Sequence, residues 1–282
     1  AEGLGAAEAD HRLLQEVGAM MKWAVSTVPC KCAVSKSRLP GLEYTFNPYR
    51  GCTHGCLYCY VPDIMRNSAL SSTWGRSAAV KEEVLRKLKE ELRHLTPGVV
   101  GVSTATDPYQ PLEGALRITR RAISLLSAMS FPVSVQTKSA LVARDADIIR
   151  RGDVEVGITI TSSSESFRAR FEPGASPITD RARALKELSS MGVKTWIFYG
   201  PIIPGSNDLP ADIEFIVRLA GETGSRVLYD GLNVRPMLRR RMLTVFTEGE
   251  MERIAKFNFN AFYDTFESEC RGGGVKCCHA FA

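Results

Sequence analysis

The chain has 282 residues, of which 44% are hydrophobic and 24% charged, with a formal net charge of +5 and eight cysteines. That length supports one barrel-sized domain with a substantial core, and no apolar run approaches the roughly 18 residues that would read as a membrane-spanning helix. The charge is too mild to imply nucleic acid by itself. With no secretory segment visible, the cysteines are expected to be reduced thiols in a cytoplasmic protein and not disulfides.

Residues 1–20 are rich in Ala, Gly and Glu, and Gly18-Ala19-Met20 resembles a cloning scar ahead of Met21-Lys22-Trp23, which would serve as a natural start. This stretch is taken as an engineered or flexible leader, and 21–41 as an N-terminal extension. Over 42–245, short β-branched runs alternate with amphipathic stretches. Strands are expected at 43–46, 99–103, 133–136, 154–161, 195–199 and 227–229. Between them, apolar residues recur at helical spacing: Val80, Val84, Leu88, Leu92 and Leu95; then 116–129 and 213–220; and Ala182, Leu185, Leu188 and Met191. Such stripes face a core. The alternation predicts an α/β fold of parallel βαβ units, a partial (βα)6 barrel of TIM type, with functional groups at the carboxyl ends of the strands. Residues 246–282 are expected to form a C-terminal helix and a cysteine-containing tail.

One loop after the first of these strands concentrates the chemistry. It carries Cys52, Cys56 and Cys59 in a C-x3-C-x2-C arrangement, with Gly51 and Gly55 to let the backbone turn tightly. A [4Fe–4S] cluster normally takes four thiolates; three leave one iron with an open position for a small molecule, as catalytic metals do. Zinc with His54 as a fourth ligand is the alternative, although zinc sites usually come as C-x2-C pairs and no partner pair is present. The spacing, with aromatic Tyr58 just before the last cysteine, resembles the radical S-adenosylmethionine superfamily. The resemblance implies that S-adenosyl-L-methionine binds the open iron and takes one electron from a flavodoxin- or ferredoxin-type donor. Cleavage then gives methionine and a 5′-deoxyadenosyl radical, which abstracts hydrogen from a substrate.

Further stretches narrow the resemblance to the spore photoproduct lyase-like branch: 35–41, 47–52 with 59–60, 106–111 with Glu113, 136–139, Glu172-Pro173 with Arg181, and 201–205. This implies a nucleobase in DNA or RNA as substrate, with Arg235 and the run Arg239, Arg240 and Arg241 on phosphate; the run reads equally as a solvated helix edge. Ser103, Thr104, Thr106 and Asp107 would face the cofactor's ammonium, although Asp107-Pro108 is also ordinary turn chemistry. Lys138 would lie near the methionine carboxylate, and Thr159 and Thr161 near the ribose. Tyr58 would pack beside adenine, and both Tyr58 and Tyr60 would lie near the radical pathway.

One departure stands out. The lyases return hydrogen to the product from a cysteine whose place here, aligned on Asp107, is Thr104, and a threonine O–H is a poor donor to a carbon radical. Five cysteines lie outside the loop: Cys30, Cys32, Cys270, Cys277 and Cys278. If the chain ends meet at one mouth of the barrel, they would hold a second iron–sulfur cluster. Otherwise Cys277 or Cys278 would serve as a hydrogen-donating thiol on a glycine-rich tail, or all five are structural. Two other functions fit the same residues: radical modification of a peptide, protein or small metabolite with a second iron–sulfur cluster on the terminal cysteines, and a non-catalytic iron–sulfur carrier or sensor. Incomplete ligation disfavours the carrier.

Overall fold

The computed structural model describes residues 14, 16, 18, 19, 23–65 and 67–281. Its strands are β1 (Ala24–Val28), β2 (Val34–Lys36), β3 (Tyr44–Phe46), β4 (Tyr49–Gly51), β5 (Ser77–Lys81), β6 (Val100–Val102), β7 (Val133–Thr137), β8 (Val154–Thr159), β9 (Lys194–Ile202), β10 (Arg226–Gly231) and β11 (Cys277–His279). Eight of them form one sheet in the order β11-β10-β9-β8-β7-β6-β3-β2. Every neighbouring pair is parallel except β2 with β3. The six expected parallel strands are therefore β3 and β6 to β10, adjacent in chain order, with helices in the crossovers.

The period of two along each strand separates two faces. Val133, Val135, Val156, Ile158, Ile197 and Tyr199 are buried in the main core together with helix residues such as Leu88, Leu126, Leu188 and Ile216. By register, the opposite face presents Ser134, Gln136, Gly157, Thr159, Trp196 and Phe198. Gly157 is required there: a Cβ at this position would stand 2.2 Å from the Trp196 ring.

Several expectations are corrected. Val80 lies on β5 and not on a helix; the helix that follows is Val84–Leu92, and Leu95 falls beyond its end. On helix Ile178–Ser190 the buried face is Ile178, Arg181, Ala184, Leu185 and Leu188, whereas Met191 lies past its end and is 44% exposed. A second sheet, β1-β5-β4, was not anticipated. Its strands are only 3–5 residues long, too short for alternation to declare itself. The tail is likewise part of the fold, since β11 pairs with β10 and helix Phe259–Gly272 buries Phe266 and Cys270. The leader at 1–20 falls mostly outside the described residues, but Leu14 is 1% exposed and packs in the core. Among the described residues no helix is long and apolar enough to cross a membrane.

Candidate functional site

The cysteine loop leaves β4 at Gly51, which pairs with Ala78 on β5 and has a positive φ of 76°. At Gly55 a Cβ would stand 2.9 Å from the Cα of Gly75, so two glycine backbones meet where no side chain fits. Four other segments then hold the loop. Thr106 Oγ1 donates to the Gly51 carbonyl at 2.5 Å, and Thr53 N–H donates to Gln110 Oε1 at 3.0 Å. Leu57 N–H donates to the Phe171 carbonyl and Gly174 N–H to the His54 carbonyl, both at 2.9 Å. Trp74 Nε1 donates to the Cys56 carbonyl at 3.3 Å. Arg241 Nε donates to the Leu57 carbonyl at 3.1 Å, and its Nη2 donates to the Cys59 carbonyl.

All three cysteines are free; Cys52 and Cys56 are buried and Cys59 is half-buried. Burial pushes each thiol up, Cys52 well above its ordinary value and Cys56 to about 12, while Lys138 pulls against burial at Cys56 and Cys59. Binding a soft cation here requires these thiols to ionise and releases their protons. Among the described residues no three His, Cys, Asp or Glu side chains converge on a single-ion site. His54, the alternative zinc ligand, faces Asp107. The donor set fits a three-thiolate iron–sulfur cluster.

The loop after β6 divides its expected cofactor groups into two kinds. Asp107 accepts from Thr137 Oγ1 at 2.6 Å, Lys138 N–H at 2.8 Å and Tyr109 N–H at 2.9 Å. His54 Nδ1 is 3.2 Å from its Oδ2 without an aligned hydrogen bond. Burial raises the Asp107 carboxyl, yet His54 and these donors outweigh it and hold the pKa at about 2. Asp107 is thus an anchor joining the cysteine loop to the end of β7, with both oxygens taken by protein groups. Thr106 is equally committed, accepting from Gln110 at 3.1 Å while it donates to Gly51. Ser103 differs: it is buried, has a φ of 67°, and its hydroxyl has no partner. Thr104 is half-buried, with only a long 3.4 Å contact from Asn47 on its hydroxyl. These two hydroxyls remain available to a ligand.

At the end of β8 sits a buried ionic network. Glu172 and Arg181 are both 0% exposed and ion-paired, and the Glu172 carboxylate also accepts from the Tyr58 hydroxyl and from Thr161 Oγ1. Arg181 completes its bonding with the carbonyls of Ser176 at 2.8 Å and Thr159 at 3.1 Å. Burial would raise the Glu172 pKa, but Arg181, Lys138, Thr161 and Tyr58 bring it down to about 2. Burial and then Glu172 push Tyr58 well above the ordinary phenol range, so it stays a donor. Lys138 Nζ lies 5.5 Å from the Tyr58 ring centre, near enough for a cation–π contact. Thr159 Oγ1 accepts from Gln136 at 3.3 Å. The structure therefore gathers Tyr58, Lys138, Thr159 and Thr161 beside the cysteine loop, and adds Glu172, Arg181, Gln110 and Trp74, to which no role was given from sequence, and Arg241, which was expected on phosphate and instead holds the loop's carbonyls.

Tyr60 is 42% exposed and donates to the Thr104 carbonyl at 2.9 Å. Of the arginine run, Arg239 pairs with Glu248, Arg241 grips the loop, and Arg240, like Arg235, is exposed. The terminal cysteines fall at two places in the sheet order. Cys30 and Cys32 lie between β1 and β2, while Cys270, Cys277 and Cys278 lie at β11, the opposite edge of the eight-stranded sheet. Buried Cys270 contacts Cys277 from the helix side, and Cys278 is exposed. In the sheet order they therefore form two groups, Cys30 with Cys32 and Cys270 with Cys277 and Cys278.

The profile of the Radical SAM superfamily matches residues 46–220, which spans the cysteine loop and strands β6 to β9. The chain belongs to the radical SAM superfamily. It is similar to an uncharacterised protein of Methanocaldococcus jannaschii, 32% identical over 203 residues that cover 72% of this chain and 74% of that protein. A radical SAM Nα-GlyT isomerase of Pseudomonas phage M6 is 24% identical over 160 residues, covering 56% of this chain and 33% of that one. Among solved structures, a spore photoproduct lyase variant with a dinucleoside spore photoproduct superposes with a TM-score of 0.63 at 16% identity, covering 83% of this chain and 69% of that chain. That likeness shows a shared fold, the partial barrel of radical SAM enzymes. Family membership implies a [4Fe–4S] cluster and S-adenosyl-L-methionine as cofactors.

Proposed function

We propose that this enzyme abstracts a hydrogen atom from a nucleobase in DNA or RNA and finishes the reaction with a phenol in place of a thiol. The observation that carries the reading is the combination of a three-cysteine loop with a sheet face bearing Gln136, Thr159 and Phe198, amide, hydroxyl and aromatic groups suited to a base edge and a base face. The fold shared with a lyase solved around a dinucleoside supports it. Cys52, Cys56 and Cys59 would hold the cluster, which would supply the electron for reductive cleavage of bound S-adenosylmethionine.

The chain's own groups do the positioning. Lys138 meets a carboxylate, the free hydroxyls of Ser103 and Thr104 meet an ammonium, and the Tyr58 ring offers its face to adenine, while Asp107, Thr161, Glu172 and Arg181 hold those groups still. Tyr60 is the exposed phenol at the Thr104 carbonyl. Its O–H bond breaks as a C–H bond forms on the product radical, and the tyrosyl radical takes one electron from a flavodoxin- or ferredoxin-type donor and a proton from solvent. Such a cycle needs a reducing compartment, which we take to be the cytoplasm.

Anaerobic assays with dithionite, S-adenosylmethionine and either thymine-containing oligonucleotides or peptides test this. Oligonucleotides should stimulate 5′-deoxyadenosine formation, and Tyr60→Phe should keep that cleavage while losing the repaired or rearranged base. Stimulation by peptides alone would transfer the enzyme to the peptide-modifying reading, and an unchanged product in Tyr60→Phe would remove the phenol.

A further inference from the structure

We infer that Arg241 is a positioning residue for the iron–sulfur cluster, one half of a reciprocal clamp with Asp63 that ties helix Pro236–Met242 to the cysteine loop and sets a positive charge beside Cys59. The inference rests on the cluster reading of Cys52, Cys56 and Cys59. Arg241 donates to the carbonyls of both Leu57 and Cys59. Asp63, four residues past Cys59, accepts from the first free amides of the same helix, Met237 N–H at 2.8 Å and Leu238 N–H at 3.1 Å. Asp63 and Arg241 are themselves 3.9 Å apart, their side chains 6% and 19% exposed. Each segment thus supplies one side chain that satisfies the other's backbone, across more than 170 residues of sequence.

Adjacent residues on a helix point about 100° apart, which explains why three consecutive arginines have three fates. Arg239 pairs with exposed Glu248 and Arg240 projects to solvent, whereas Arg241 is turned inward onto the loop. Cys59 is the one cysteine of the three that is not fully buried, so it is the ligand most in need of a tether. A fixed guanidinium beside it also stabilises the more negative, reduced state of a cluster, because nearby charge and hydrogen bonding set such potentials. The planar fork holds two carbonyls at once, which a lysine ammonium does not reproduce in one geometry.

The test uses the anaerobically reconstituted 282-residue chain, with chelator-driven iron loss and an EPR-monitored redox titration as readouts. Arg241→Gln should lose iron about 10–100-fold faster than wild type, the usual cost of removing a group that orients metal ligands, and its midpoint potential should move to more negative values. Arg241→Lys should keep a potential near wild type but still lose iron faster. Asp63→Asn removes a negative charge from the same place, so its potential should move the opposite way, which simple loosening of the loop would not produce. Wild-type iron retention and potential in Arg241→Gln would overturn the inference, as would shifts of the same sign in Arg241→Gln and Asp63→Asn. If Arg241→Gln does not fold, Arg241→Lys and Asp63→Asn carry the test by their retention and sign. A wild type that takes up no iron would instead defeat the cluster reading beneath it.

Discussion

Replacing Cys52, Cys56 or Cys59 with Ala should abolish both cluster assembly and 5′-deoxyadenosine formation. Reconstituted wild type should hold about four irons per chain, and each variant far fewer, since a cube normally held by four thiolates does not survive on two. No other described cysteine can substitute: the remaining five are placed at the two edges of the sheet. The loop itself should remain folded in these variants, because Gln110, Phe171, Trp74 and Arg241 still hold its amides and carbonyls after the His54 and Val61 amides lose the Cys52 and Cys59 sulfurs they bond. Iron and sulfide analysis with chromatography of the nucleoside product checks this. Stoichiometric zinc without deoxyadenosine would contradict it.

Glu172→Ala should be the most damaging single change to stability outside the hydrophobic core. It leaves the fully buried Arg181 without its carboxylate, and breaking a buried ion pair costs about 3–5 kcal/mol. Denaturant unfolding of the apoprotein measures the loss. Because the Glu172 pKa is brought down to about 2 by Arg181, Lys138, Thr161 and Tyr58 against the opposing effect of burial, its contribution is complete above the ordinary glutamate pKa and is lost as the pH falls toward 2. The pH dependence of stability on the acid side should therefore be shallower in the variant. Replacing both partners together, Glu172→Leu with Arg181→Met, should recover much of the stability. It should still raise KM for S-adenosylmethionine, because Tyr58 and Thr161 lose the acceptor that fixes them.

The order of the parallel strands was legible because β-branched runs such as 133–137 and 154–159 are bounded by helical stripes. The cysteine loop was legible because metal ligation imposes a spacing. What escaped was whatever depends on partners distant in sequence. Asp107 looks like a cofactor carboxylate by position, yet its oxygens are taken by Thr137 and by two backbone amides, one of them from the end of β7. Arg181 did carry a signal. It sits at i+3 from Ile178 on the same buried stripe as Leu185 and Leu188, and a charge on an apolar helix face must find a buried counter-ion. Arg241 carried none, since its neighbours Arg239 and Arg240 look identical in sequence and only the helix's rotation against the loop separates them. The short strands β1, β4 and β11 are defined by pairing with β5 and β10, not by their own pattern.

If the hydrogen leaves a nucleobase, a heavy isotope placed there must arrive in the nucleoside product. An oligonucleotide carrying thymine deuterated only at its base carbons, the methyl and C6, incubated anaerobically with the reconstituted enzyme, S-adenosylmethionine and dithionite, should place deuterium in 5′-deoxyadenosine, seen by mass spectrometry. Abundant deoxyadenosine that carries no deuterium, with deuterium acquired instead from a labelled peptide, would contradict it.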